Sequence, residues 1–259
     1  FSLSFFSEVT STQNKEKYNF YNPTPINKLR EISADRPDFT ESPYTVDAGK
    51  FQIEHSFFDY SQNSNTNTWS VLPFNFKVGL NNSIDLQLVF DPYLEQHKGS
   101  KKIDGTGDFQ IRIKKNIWGN DSGDSAFGLM PFIKIPTSSD NLGNDHLEGG
   151  IIFPYSQKLS NTICLGLMFE TDFVYDENND EYNADFILTS ALGFDLGNSF
   201  GFYSEAIAIF SNNVDQDFSK SLGLGLTYSL KENIILDLGT NLRLLGSRDD
   251  FNVFSGYTI

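Results

Sequence analysis

Two stretches decide the fold: Ile84-Asp85-Leu86-Gln87-Leu88-Val89-Phe90-Asp91 and Ile163-Cys164-Leu165-Gly166-Leu167-Met168-Phe169-Glu170-Thr171-Asp172-Phe173. In the first, Ile84, Leu86, Leu88 and Phe90 alternate with Asp85, Gln87, Val89 and Asp91. In the second, Ile163, Leu165, Leu167, Phe169 and Phe173 are interleaved with Cys164, Gly166, Met168, Glu170 and Asp172. A period of two belongs to a strand, whose successive side chains point to opposite faces. Strands of a soluble sandwich alternate too, but they average about five or six residues. These runs are longer. They match the roughly 9–11 tilted residues that cross the hydrocarbon of a bilayer, where every backbone polar group must pair within a closed sheet.

Working outward, the same unit recurs at roughly 50–62, 67–79, 83–95, 106–118, 126–137, 149–157, 161–175, 182–195, 199–211, 217–230, 234–246 and 250–259. This is about 12 strands, an even number as in bacterial barrels. Tight turns rich in Asn, Gly and Ser (Leu80 to Ser83, Lys158 to Asn161, Leu196 to Ser199, Lys231 to Asn233) alternate with connections near 96–105, 138–148, 176–181, 212–216 and 247–249 that are mostly longer. Trp118 to Ser125 is the one longer member of the first set. Short turns inside and long loops outside are the asymmetry of outer-membrane barrels. The expected fold is therefore an all-β, transmembrane, antiparallel up-and-down β-barrel over 45–259, with both termini periplasmic.

Residues 1–44 do not alternate. They are polar and carry Pro23, Pro25, Pro37 and Pro43, so they read as an irregular N-terminal arm that stays in the periplasm or enters the barrel mouth. The opening Phe1-Ser2-Leu3-Ser4-Phe5-Phe6 reads as the end of a signal segment or as an apolar mature start.

Composition fits this reading. The 259 residues include 25 Phe and 11 Tyr, and aromatics gather where the runs end. Phe57, Tyr60, Trp69, Tyr93, Tyr175 and Tyr182 fall toward one rim, and Trp118, Phe127, Tyr155, Phe194, Phe200 and Tyr228 toward the other, as two interfacial girdles would. A mean hydropathy of −0.33 disfavours membrane helices but not a barrel, whose lumen and loops are polar. The net charge of −15 excludes nucleic acid as a partner, because its phosphates would be repelled. The single Cys164 excludes a disulfide framework.

If the apolar set faces lipid, the charges between face the lumen: Glu54, Lys77, Asp85, Asp91, Asp108, Arg112, Lys114, Lys134, Glu170, Asp172, Asp185, Glu205, Asp237 and Arg243. A Lys or Arg on the lipid face near the midplane would cost about 2–4 kcal/mol. In a barrel this small these side chains line a narrow path or fill it by pairing with one another and with the arm; only about 16–18 strands leave a wide channel.

Chemistry is sparse. The histidines are His55, which shares parity with apolar neighbours, and His97 and His146 in loops, so no triad is expected. Asp176-Glu177-Asn178-Asn179-Asp180 starts like a calcium loop, but Glu181 stands where Gly is needed and the closing Glu is missing. Gly105-Thr106-Gly107 lacks the strand-to-helix setting of a phosphate loop. No enzyme activity, cofactor or metal is expected.

Asp35-Arg36-Pro37-Asp38-Phe39-Thr40-Glu41-Ser42, followed by Tyr44-Thr45-Val46, Gly49 and Phe51-Gln52-Ile53-Glu54, resembles the opening signature of an outer-membrane family called putative transporters, or the phenol meta-degradation pathway family. The resemblance continues through Gly105 to Asp108 with Arg112 and Lys114, Pro131 with Lys134, Pro136 and Thr137, and Gly149-Gly150 with Pro154. It ends at Asn252, Phe254 and Gly256. It implies an outer-membrane barrel that passes aromatic or other small hydrophobic compounds. Barrels of this kind usually end on an aromatic residue, whereas this sequence ends Tyr257-Thr258-Ile259. Independently of the resemblance, Pro37 and Pro43 hold the chain extended, and Arg36, Asp38 and Glu41 are expected to latch the arm at the barrel mouth.

Two functions follow. The first is a porin-like transporter or narrow channel for small solutes in a Gram-negative outer membrane. The second is a closed or plugged barrel acting as a structural or accessory subunit that docks proteins through its loops or arm. Expected partners are outer-membrane lipid and lipopolysaccharide, a small-molecule solute, and such docking proteins.

Overall fold

The computed structural model describes residues 15–139, 142–177, 179–212, 218–246 and 249–259; the segment Phe1 to Phe6 lies outside them. Twelve antiparallel strands close a ring: β1 Phe51–Asn63, β3 Phe74–Asn81, β4 Ile84–Phe90, β7 Phe109–Trp118, β8 Ser125–Ile135, β9 Glu148–Lys158, β10 Ile163–Asp176, β11 Glu181–Gly197, β12 Phe200–Ser211, β13 Phe218–Lys231, β14 Ile234–Leu245 and β15 Phe251–Thr258. Closure is made by β15 on β1, from Glu54 opposite Thr258 to Gln62 opposite Phe251. Three more strands, β2 Thr66–Val71, β5 Tyr93–Lys98 and β6 Lys101–Gly105, continue the wall outside the ring from the upper half of β1. The only helical turn among the described residues is the 3-10 segment Ile26–Lys28.

The extra strands correct the sequence reading in two places. The runs expected at 67–79 and 83–95 are each broken in two. Pro73 follows Leu72, which sits at φ +61°, and Pro92 separates β4 from β5; proline cannot donate to a ladder. The connection expected near 96–105 is instead a hairpin turning at Gly99, φ +60°. Its alternation is invisible in sequence because it stands clear of lipid and both faces are polar.

The ring has two unlike ends. The short-turn rim carries the connections at 82–83, 119–124, 159–162, 198–199 and 232–233, and the other end carries the longer loops. The outer surface is apolar, with Phe51, Ile113, Ile133, Phe173, Leu188, Leu226 and Leu238 all exposed. Aromatic pairs mark both ends of this belt. Trp118 stacks on Phe127 at 4.9 Å and Phe200 meets Tyr228 at 4.7 Å on the short-turn side. Tyr60 meets Trp69 at 4.5 Å and Tyr175 meets Tyr182 at 5.2 Å on the long-loop side. An exposed apolar belt between aromatic girdles on a closed sheet is the surface of a membrane-spanning barrel.

The inward face is not wholly polar. Met130, Ile152, Met168, Ile187, Ile207 and Ile209 pack into a buried cluster with Phe132 against it. They share parity with Glu170, Asp185 and Glu205, so one side of the lumen, from β8 to β12, is apolar where the alternation suggested only charge.

Candidate functional site

The arm lies inside the ring. Its anchors come from opposite walls, which only an interior segment can reach together. At the short-turn rim Arg30 ties it down: Nη1 donates to Asp121 Oδ1 at 3.0 Å and Asn82 Oδ1 at 3.1 Å, and Nη2 donates to the Thr45 carbonyl at 3.0 Å. The Arg30 backbone N–H donates to Asp47 Oδ2 at 2.6 Å. From there the chain climbs to an apex near 36–41 and returns to the same rim. On the return, Thr45 meets Asn120, and Ala48 forms a parallel bridge with Gly79. The Ala48 segment lies so close to the wall that a Cβ on Gly79 would sit 2.1 Å from the Asp47 carbonyl oxygen.

Asp35 is the hub of the ascending limb. It accepts from Lys114 Nζ at 2.8 Å and from Lys77 Nζ, while its own N–H donates to Glu54 Oε1 at 2.9 Å. Lys77 also reaches Glu54. Burial works to raise the Asp35 carboxyl, but Lys114 and Lys77 together outweigh it and hold the group well below the usual carboxylate range. Arg36 turns the other way round the ring, toward β14 and β1. Its Nε and Nη2 grip both oxygens of Asp237 at 3.1 and 2.8 Å, and Nη1 donates to Ser56 Oγ at 2.6 Å. Planar bidentate pairing is the geometry guanidinium offers and ammonium does not.

At the apex, Glu205 receives the backbone N–H of Phe39 at 2.9 Å and of Thr40 at 2.7 Å, plus the Thr40 hydroxyl at 2.5 Å. The hydroxyls of Thr40 and Thr189 are 2.6 Å apart. Glu41 accepts from Arg112 Nη1 at 2.6 Å. Burial and the nearby Asp35 push the Glu41 carboxyl up to about 7, against the pull of Arg112 and Lys114. Descending, Asn116 donates to the Pro43 carbonyl at 2.9 Å, and the Val46 N–H donates to Asp85 Oδ2 at 3.0 Å.

The fourteen expected lumen charges thus divide by height. Glu54, Lys77, Asp85, Arg112, Lys114, Glu205 and Asp237 hold the arm. The other seven occupy the long-loop half. There Lys134 pairs with Glu148 at 2.7 Å and Asp108 at 3.5 Å, Asp108 also accepts the N–H groups of Thr137 and Ser138, and Arg243 pairs with Asp250. Asp91 accepts from Ser70 at 2.8 Å, Asp172 lies opposite Asp185 in register, and Glu170 is buried two residues before Asp172. Of the three expected latch residues, Arg36 and Glu41 pair with wall charges. Asp38 forms no ion pair among the described residues: it is buried, its Oδ2 has no hydrogen-bond partner there, and burial followed by Glu205 pushes its carboxyl well above the usual range.

Sequence reasoning missed Arg30 and the central place of Asp35. Asp35 stood inside the quoted motif; Arg30 gave no signal, being one of several cations, with Lys15, Lys17 and Lys28, in a polar arm. Among the described residues no group of three His, Cys, Asp or Glu side chains gathers for a metal ion. His55 Nδ1 lies 2.9 Å from the Pro73 carbonyl, His97 Nε2 lies 2.7 Å from Glu95, and His146 stacks on Tyr175. Two cavities, of about 350 and 750 Å³, flank Leu29 to Ile32 at the short-turn rim beside the β13–β14 turn.

Comparison with known proteins agrees with this architecture. The fold is similar to a COG4313 outer membrane channel from Pseudomonas putida F1, with a TM-score of 0.66, 11% identity, and 87% of this chain and 98% of that chain covered. It is also similar to the NanC porin, with a TM-score of 0.55, 11% identity, and 81% and 98% covered. A search of curated protein sequences found no match. A family profile matches residues 34–257, from the residue before Asp35 through the closing strand, and so takes in both the latch motif and the ring. The chain belongs to the family described as Putative MetA-pathway of phenol degradation.

Proposed function

We propose that the chain is an outer-membrane channel for small solutes, acting as a non-enzymatic conduit whose lumen is plugged by its own arm, with both termini in the periplasm. The observation that carries this reading is the nature of the plug's contacts. The central holds between arm and wall are ion pairs and charge-assisted hydrogen bonds, joined by neutral hydrogen bonds such as those of Asn116 to Pro43 and of Asn120 to Thr45. Polar contacts of this kind can be exchanged for water or solute, whereas an inert filler would be expected to close the core with apolar side chains. The likeness to a protein described as an outer membrane channel supports the same reading. In this account the fourteen wall charges divide between holding the plug and lining the path above it, and the small solutes are hydrophobic or aromatic, as the family description suggests.

The density of buried ion pairs around Asp35 supports a second reading, a permanently closed barrel that serves as an accessory subunit. One experiment separates them. Purified protein in liposomes is tested for swelling in small solutes, beside a variant with the latch broken at Arg36. The channel reading expects slow swelling that accelerates in the variant. No swelling from either protein sinks it.

A further inference from the structure

Before the arm enters the ring it makes a tight turn at the short-turn rim, and the residues at its tip are not turn formers. The N–H groups of Asn19 and Asn22 each donate to the other's carbonyl at 3.0 Å, which leaves Phe20 and Tyr21 as a two-residue tip. Such tips are ordinarily built from Gly, Asn, Asp or Ser. Here two aromatic rings stand on one, Phe20 42% and Tyr21 93% exposed. The turn is firmly built: Asn19 Oδ1 accepts the N–H groups of Tyr21 at 3.0 Å and Asn22 at 3.1 Å, and Asn22 Nδ2 donates to the Lys17 carbonyl at 3.1 Å. It is pinned to the wall where the Phe20 N–H donates to the Leu80 carbonyl at 2.8 Å and Asn19 bridges Asn81 at the end of β3.

The rings lead outward. Tyr21 packs edge-on to Phe20 at 5.5 Å, Phe20 edge-on to Phe51 at 6.4 Å, and Phe51 stacks on Phe76 at 5.7 Å. Gln52 and Lys77, paired in register beside them, are buried on the inward face, so Phe51 and Phe76 face lipid, and Phe51 is 59% exposed. This row of rings extends the outer apolar belt onto the arm. Two cations stand next to it: the ammonium groups of Lys17 and Lys28 lie 5.2 and 6.0 Å from the centre of the Tyr18 ring. Neither forms an ion pair among the described residues, whereas Lys15 and Arg30 are both held by Asp47 and Asp121. Exposed rings continuous with the belt, flanked by lysines without acids, suit the headgroup layer of a bilayer, where aromatics sit at the interface and lysines meet lipid phosphates.

We propose that the turn at 19–22, with Lys17 and Lys28 beside it, is a membrane foot: Phe20 and Tyr21 enter the interface of the leaflet on the short-turn side, and the two lysines meet the phosphates of anionic phospholipid. The arm is then held twice, by the latch in the lumen and by the foot in lipid, so that 30–46 can leave the lumen while the base of the arm stays on the rim. The foot rests on the membrane-spanning fold and not on the channel reading.

A single-tryptophan reporter tests it. Tyr21→Trp is combined with Trp69→Phe and Trp118→Phe, which replace both native tryptophans, and the full chain is reconstituted in phospholipid bilayers with and without bromine on the acyl chains. Tyr21 projects from the surface, so the exchange leaves the fold in place. Trp118 in the short-turn girdle is the reference, read in the Trp69→Phe protein. Brominated lipid is expected to quench the reporter at least about half as strongly as the reference, with emission to the blue of tryptophan in water. Emission at the position of water-exposed tryptophan without quenching overturns the proposal. So does a reporter shielded from water yet untouched by bromolipid, which would mean that a protein partner or a second copy covers the turn. The lysines are tested by exchange of the Phe20 amide, which should slow at least about fivefold when phosphatidylglycerol replaces phosphatidylcholine, and less than about twofold in the combined Lys17→Gln and Lys28→Gln variant. Equal slowing in both proteins, or none in either, overturns the role given to the lysines. No readout involves solute flux, so failure of the channel reading leaves the foot standing.

Discussion

Replacing Arg36 with alanine removes the one cation that pairs with Asp237 among the described residues. The Asp237 side chain is 2% exposed, so the variant leaves a buried carboxylate without its partner, and the Ser56 hydroxyl loses its donor. Breaking a buried ion pair from one side costs about 3–5 kcal/mol. The Arg36 side chain is 19% exposed, which lets water recover part of that, so the lower end, about 3 kcal/mol, applies here. The guanidinium over the Phe254 ring, 5.8 Å from its centroid, adds at most about 0.5–1 kcal/mol. At 1.4 kcal/mol per tenfold, the docking equilibrium of the arm shifts by about two decades. Hydrogen exchange reads it directly, since the Phe39 and Thr40 amides both donate to Glu205 only while the arm is docked. Their exchange is expected to accelerate about 100-fold in nanodiscs, with the strand amides of the ring unchanged. Asp237→Asn should do less, because Arg36 keeps Ser56 and a neutral acceptor. If both amides exchange within about threefold of wild type in a folded Arg36→Ala barrel, the pair does not hold the arm and the latch argument is wrong.

Other perturbations probe different contacts. Glu205→Gln forces an NH₂ group against backbone donors that now meet carboxylate oxygens; a loss of about 2–3 kcal/mol in docking is expected, read by the same two amides. Gly79→Ala places a Cβ 2.1 Å from the Asp47 carbonyl oxygen, and the resulting displacement of 46–48 should cost about 1–3 kcal/mol and open the return limb to protease. The pH dependence follows from Glu41, raised from 4.5 to about 7 when docked. A carboxyl raised on docking stabilises the docked arm fully below its free value, and that contribution is lost as pH rises through about 7. Exchange at Phe39 and Thr40, corrected for intrinsic rates, should therefore be slower at pH 5 than at pH 8, and Glu41→Gln should reduce the difference to what Asp38, raised in the same direction by burial, contributes. On the outer surface, Leu238→Arg should lower barrel stability by up to about 2–4 kcal/mol in a urea titration in lipid, the cost of a cation in the belt.

How much of this was legible in sequence depended on which force set each residue. Lipid imposes a strict period of two, so the ring strands and their inward charges could be read from runs such as 84–91 and 163–173. The breaks at Pro73 and Pro92 carried a visible signal, but alternation on either side of each proline masked it. The hairpin at 93–105 left no apolar trace because neither face meets lipid. The inward cluster around Met168, Ile187 and Ile207 was hidden for the opposite reason: apolar residues at inward parity read as lapses in the pattern rather than as a second surface. The arm's lack of alternation was visible, and so was the packing of charges, Arg36 and Glu41 among them, between prolines. Their partners were not, since Asp237 lies 201 residues from Arg36 and no local period links them.

The claim beneath everything else is that the arm sits in the lumen and must leave its place for solute to pass. Thr40 and Thr189, with hydroxyl oxygens 2.6 Å apart, offer a direct test as a cysteine pair, made with Cys164→Ala so that no other thiol competes. The pair should cross-link on mild oxidation in native membranes, and the oxidised protein should show no solute flux in liposomes until reductant restores it. A pair that stays reduced in the folded barrel, or flux that is the same in the cross-linked and reduced forms, contradicts the account.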